Sequence, residues 1–218
     1  MQLLIAEPLG VNTMKKIIYI IITVILTSCS TSESIELKSN KTISETFNES
    51  EINDLQIIFD FFNGQICDSN KLDYNSLNEC YEKYCSEIRE QQKTENQFNP
   101  KVDFEQQLEM YKNINKSTFN QIWGLSKSWN YKTSDTLKYL GLNTVGKYNM
   151  FLKKYGEENK PIFEYYENFN AAGDISPSMN ASLIMQYELY DISDLRTKLI
   201  MAIHYLTLND QIYRKEIY

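Results

Sequence analysis

The sequence predicts an all-α protein, a compact irregular bundle of about eight or nine short to medium helices. Three observations carry that expectation. From residue 48 onward, apolar residues recur at three- and four-residue spacing. Gly141, Gly156, Pro161, Gly173 and Pro177 alternate where helices would stop on a left-handed residue and restart on one lacking an amide. No alternating run bounded by Asn-Gly or Asp-Gly turns is visible, so strands find no signal. Composition agrees, since 42% of the 218 residues are hydrophobic and 13% aromatic, enough apolar surface to offset the ordering entropy of a folded chain.

Ile52, Leu55, Ile58, Phe59, Phe62 and Ile66 mark one amphipathic helix, with Ser50 placed to cap its start and Gly64 near its end. Ser76-Leu77-Asn78-Glu79 reads as a capping box, in which hydroxyl and carboxylate satisfy each other's orphan amides, opening a second helix through Tyr81, Tyr84 and Ile88. The polar stretch 91–101 follows. Pro100 disfavours helix at Asn99, which makes this stretch the best internal sub-boundary of a single domain over 48–218.

Phe104, Leu108, Tyr111 and Ile114 mark a third helix, and Ser117 or Thr118 starts a fourth containing Phe119, Ile122, Trp123 and Leu125. The glycine and proline alternation predicts further helices over 133–140, 144–155, 160–171 and 177–190. Asp191 or Ser193 would cap a last long helix carrying Leu195, Leu199, Ala202, Ile203 and Leu206, apolar enough to be expected at the centre. The tyrosine and glycine spacings hold no period of about 34 or 40 residues, which argues against a solenoid.

The first 47 residues read differently. Residues 1–13 fit no targeting logic, whereas Met14 opens an export signal, so translation is expected to start there. Lys15 and Lys16 precede ten residues from Ile17 to Leu26, nine of them apolar or aromatic. Such a run is too short for a membrane span of ~20 residues and suits the apolar core of a signal peptide. It leads into Leu26-Thr27-Ser28-Cys29.

This order resembles the lipobox of bacterial lipoproteins, in which small residues precede a cysteine that is diacylated and becomes the first residue of the mature chain. The resemblance covers residues 14 to 29. It implies that 14–28 are removed, that Cys29 carries lipid, and that the protein is held on a membrane of the bacterial cell envelope, since two or more acyl chains anchor stably. Ser30 after the cysteine is compatible with the outer membrane of a Gram-negative cell, leaving the leaflet open. Residues 29–47, rich in Ser, Thr, Glu and Lys, read as a lipidated flexible tether.

Charge narrows the partners. Against 29 Asp and Glu the chain sets 22 Lys and Arg, a net −7. With no basic stripe, nucleic acid is excluded as a partner. No G-x-S-x-G elbow, HExxH, P-loop or Rossmann glycine pattern is present, so no cofactor is expected.

With Cys29 assigned to lipid, Cys67, Cys80 and Cys85 remain in an exported chain, where oxidising conditions favour disulfides. If the first two helices form a hairpin, Cys67 and Cys80 lie at comparable distance from the loop and Cys85 nearly a turn and a half deeper. Cys67–Cys80 is therefore the expected staple and Cys67–Cys85 its alternative. A metal site of all three would need a fourth ligand, and the single histidine, His204, lies far away in sequence among Ile200, Met201, Ala202 and Leu208. A neutral structural role suits it there.

Glu164 and Glu167 are the one acid pair flanked by aromatics able to stack on sugar rings. The blander reading is an exposed helix face, with Phe163, Tyr166 and Phe169 turned inward. Two function classes result. The first is a non-catalytic envelope module binding a protein or glycan; the alternative is a cell-wall hydrolase using Glu164 and Glu167.

Overall fold

The computed structural model describes residues 35–67, 74–95, 98–129, 131, 134–214 and 216, with the side chains of Tyr74, Asn75 and Ser128 left out. The export signal expected over residues 14–28, Cys29 and residues 30–34 lie outside the described residues. Nine α-helices and one two-stranded sheet occur among those described.

Ordered structure begins earlier than the composition suggests. A 3-10 turn at Leu37–Ser39 leads into α1, Lys41–Thr46, capped by Asn40, whose side chain accepts from the Ile43 amide. Leu37, Ile43 and Phe47 are buried. The flexible tether over 29–47 is therefore corrected for residues 35–47. Three apolar side chains at wide spacing suffice to fasten a polar segment to a core, although they leave no sustained period in the sequence. Gln56 reinforces the attachment, accepting from Leu37 N–H at 2.9 Å and donating to Ile35 O at 3.1 Å.

The long helix α2, Glu49–Ile66, starts on a capping box formed by Asn48 and Glu51, two residues before the expected Ser50. In α3, Tyr74–Glu95, the helix is already running at Ser76, so Ser76-Leu77-Asn78-Glu79 lies inside its first turns and is not its cap. Residues 98–102 are no boundary. The Tyr84 hydroxyl donates to Pro100 O at 2.9 Å, Phe98 stacks on Tyr205 with centroids 6.0 Å apart, and residues 35–218 form one compact unit.

α4, Phe104–Lys112, and α5, Lys116–Ile122, follow. The chain then leaves the helical regime. Trp123 is extended (φ −125°, ψ 163°), and β1, Trp123–Trp129, pairs antiparallel with β2, Thr136–Leu142. This corrects the helix expected through Leu125 and the one expected over 133–140. Gly124, Ser126 and Ser128 are poor helix formers that alternate with Trp123, Leu125 and Trp129, the period of a strand. Gly141 also serves something other than a helix stop: a Cβ there would lie 3.1 Å from Asp174 Oδ2. Its absence lets that carboxylate accept from Tyr139 hydroxyl at 2.5 Å and from Leu142 N–H at 3.0 Å.

α6, Lys147–Gly156, and α7, Lys160–Ala172, form an antiparallel pair. Gly156 allows their approach, since a Cβ would meet Phe163 Cα at 2.9 Å. Gly173, at φ 79°, supplies the left-handed stop of α7. Pro161 and Pro177 sit in the first turns of α7 and α8, Pro177–Met185. After a 3-10 turn at Tyr187–Leu189, Asp194 caps α9, Leu195–Tyr213, in place of Asp191 or Ser193.

The centre belongs to α9. From Thr197 to Thr207 it is buried on every side, touched by α2, α4 and β2. An aromatic cluster of Phe62, Tyr81, Tyr84 and Tyr205 ties it to α2 and α3, with Phe62 stacked on Tyr205 at 6.1 Å.

Candidate functional site

Two grooves flank α4. The larger, about 650 Å³, runs between α4, α5 and β1 and ends at Arg214 and Glu216. Leu108, Tyr111, Ile114, Phe119 and Leu125 give it an apolar lining; Glu105, Glu109, Lys112 and Lys116 stand on its rim. The smaller, about 470 Å³, lies on the other flank against Ile57, Phe61 and Met110.

Local sequence explains the larger groove. α5 is too short to cover α4, and the turn into β1 at Trp123 carries the chain sideways, leaving Leu125 49% exposed on the groove wall. Beneath it, Tyr111, Phe119 and Trp123 meet pairwise at 5.3 Å. This floor is held firmly. Trp123 Nε1 donates to Thr207 Oγ1 at 2.8 Å, and Gln107 Nε2 donates to the Tyr111 hydroxyl at 2.5 Å. Below the rim, Arg214 Nε and Nη2 each donate to the buried Asp210 carboxylate at 2.7 Å.

Beyond the groove the hairpin exposes Trp129 at 53% and Tyr131 at 91%. Of the two tryptophans, one is thus core and one surface. Sequence reasoning placed Leu125 and Trp123 on a helix and so missed this surface; the alternation of small and large residues from Trp123 to Trp129 was the available signal.

The other candidate residues lie elsewhere. Cys67 and Cys80 are joined in a disulfide with Cα atoms 5.7 Å apart, which displaces the Cys67–Cys85 alternative. Cys85 is a buried free thiol, pushed up to about 12 by burial. It is therefore not a reactive thiolate. Glu164 and Glu167 are exposed on α7, outside both grooves, and Glu164 pairs with Lys160 at 3.7 Å. The inward face of α7 is Ile162, Tyr165 and Phe169, while Phe163, expected inside, is exposed. Cys29 lies outside the described residues.

His204 is fully buried, and burial pulls it down to about 3, so the ring is neutral. Tyr165 hydroxyl meets its Nδ1 at 3.0 Å and Asn180 Oδ1 lies 3.4 Å from Nε2, which sets the tautomer with the proton on Nε2. The ring touches neither groove. Lys198 is also buried, lowered to about 8 by desolvation, with Nζ donating to Asn78 Oδ1 at 2.5 Å.

Among the described residues no group of three or more His, Cys, Asp and Glu side chains could hold a metal ion, and no helix is long and apolar enough to cross a membrane. Comparison with known protein families, with curated proteins and with solved structures returns no match for the chain.

Proposed function

We propose that the protein is a lipid-anchored module of the bacterial cell envelope, attached through Cys29, that binds an envelope protein or glycan without catalysing a reaction. One observation carries the binding reading: an apolar groove with a rigid aromatic floor opens beside exposed Leu125, Trp129 and Tyr131. Large apolar side chains gathered around a groove and rimmed by charge are the usual mark of a contact surface. The acid pair considered for hydrolysis is exposed and lines neither groove beside α4, so no groove there would hold a sugar between the two carboxylates.

The binding reading is tested by retaining envelope components on immobilised residues 35–218. A component held by the native chain and lost from Leu125→Glu supports it; retention of nothing, or equal retention by both, overturns it. The anchor is tested separately by palmitate labelling, expected in the native chain and absent from Cys29→Ala. Label persisting in the variant would overturn the anchoring.

A further inference from the structure

The smaller groove, about 470 Å³ between α2 and α4, takes no part in the reading above. Ile57 and Phe61, one turn apart on α2, share its lining with Met110 of α4, and Ile57 is 38% exposed. Two glutamines tie the walls together. Gln65 Nε2 donates to Gln106 Oε1 at 3.1 Å, and Asp103 N–H donates to Gln65 Oε1 at 2.9 Å. The lining runs from Glu105 to Asn113, about 12 Å along α4, or two helical turns.

Charge sets this groove apart. Its lining holds Glu105 and Glu109 and no basic residue, whereas Lys112, Lys116 and Arg214 join the same two acids around the larger groove. Asp60, which accepts from Gln56 Nε2 at 2.9 Å, is exposed one turn from Ile57. Among the described residues Glu105 is in no ion pair, and Glu109 meets Lys112 at 2.5 Å in an exposed pair of the kind that exchanges readily. The rim therefore selects a cationic occupant. Anionic lipid headgroups, or a second copy presenting the same face, would set negative charge against negative. The walls further select a helix. Both are α-helices whose backbone groups are bonded along their own length, so an extended segment would find no main-chain partner. A helix satisfies its own backbone and needs only side chains of the right kind.

We infer that the groove between α2 and α4 docks a basic amphipathic helix of a partner protein, with apolar residues at i, i+3, i+4 and i+7 over Ile57, Phe61 and Met110 and Lys or Arg beside Glu105 and Glu109. This contact surface is additional to the one at Leu125 and lies on the other flank of α4.

The test titrates two blocked peptides into 15N-labelled residues 35–218: acetyl-Lys-Leu-Ala-Lys-Leu-Leu-Lys-Ala-Leu-Lys-amide, whose leucines form one helical stripe, and an isomer that spreads them around the helix. Saturable amide shifts are expected over residues 57–61 and 105–113, with the striped peptide bound roughly fivefold more tightly than its isomer. Ile57→Ser, a change at an exposed position, should weaken binding roughly fivefold, and Glu105→Lys combined with Glu109→Lys by about tenfold at low salt. Equal affinity for the two isomers, shifts confined to residues 114–125, charge reversal without effect, or no saturable change at millimolar peptide would overturn the inference. Failure of the peptides would leave the reading at Leu125 to its own test by envelope retention.

Discussion

Asp54 lies almost fully buried beneath the start of α5, where its Oδ2 accepts from Asn115 N–H at 3.2 Å, Asn115 Nδ2 at 2.8 Å and Thr118 Oγ1 at 2.5 Å. One carboxylate oxygen thus fixes the α4–α5 turn against α2. Asp54→Ala leaves these donors with no acceptor and should cost about 2–4 kcal/mol, read from urea unfolding. No expectation from sequence included this residue, because its partners lie 61 and 64 positions away. The staple was legible for the opposite reason. Cys67 and Cys80 are 13 residues apart, and distance from a shared loop sufficed to choose between thiols. His204 gives the second prediction at this scale. Folding holds the ring at about 3 against an ordinary 6.5. Between those values the unfolded chain binds a proton that the folded chain does not, so the contribution is complete above pH 6.5 and is lost as pH falls toward 3. The native chain should lose about 3 kcal/mol from this group by pH 4. His204→Gln cannot titrate, and urea unfolding at pH 7, 5 and 4 should show the native chain losing its margin over the variant; a constant margin would refute the assignment.

At the level of elements, the glycines separate packing from propensity. Gly146 precedes α6 with its Cα against the end of α5, so that a Cβ would stand 2.2 Å from the backbone oxygen of Gln121. That atom has no rotamer to yield. Gly146→Ala should cost about 1–3 kcal/mol. Gly64, inside α2, would meet nothing within 4 Å, and Gly64→Ala should gain roughly 0.5–1 kcal/mol. Paired thermal melts would show the two substitutions moving in opposite directions. Helix positions were legible wherever apolar spacing, a proline in the first turn or Gly173 coincided, as in α7 and α8. The hairpin was not. Its strands are seven residues each, the turn between them lacks an Asn-Gly or Asp-Gly pair, and Phe119, Ile122 and Trp123 continue a helical spacing across the real boundary. The tertiary bonds that secure β2, from Asp174, Gln211 and Glu216, come from residues 32 to 78 positions away. The groove and the hairpin beside it therefore escaped a reading built on local period.

For the whole molecule, the decisive question is where the folding unit starts. A chain beginning at residue 48 keeps every long helix but loses Leu37, Ile43 and Phe47, three side chains buried in the common core. Each is worth about 1.5–3 kcal/mol of burial, less the entropy of ordering the segment that carries it. Phe47 also packs on Phe151 with centroids 6.1 Å apart, Arg196 Nη1 donates to Thr42 Oγ1 at 3.1 Å, and Glu45 pairs with Lys154. The segment thus bridges α2, α6 and the start of α9, elements distant in the chain. Its removal would expose apolar surface on all three at once. Since a domain of this size is stable by only about 5–15 kcal/mol, residues 48–218 should melt at least ~5 °C below residues 35–218 and with a broader transition. Urea unfolding should show a smaller m-value as well, because less surface is buried in the folded state. Identical melting temperatures would mean that residues 35–47 cover the core without stabilising it.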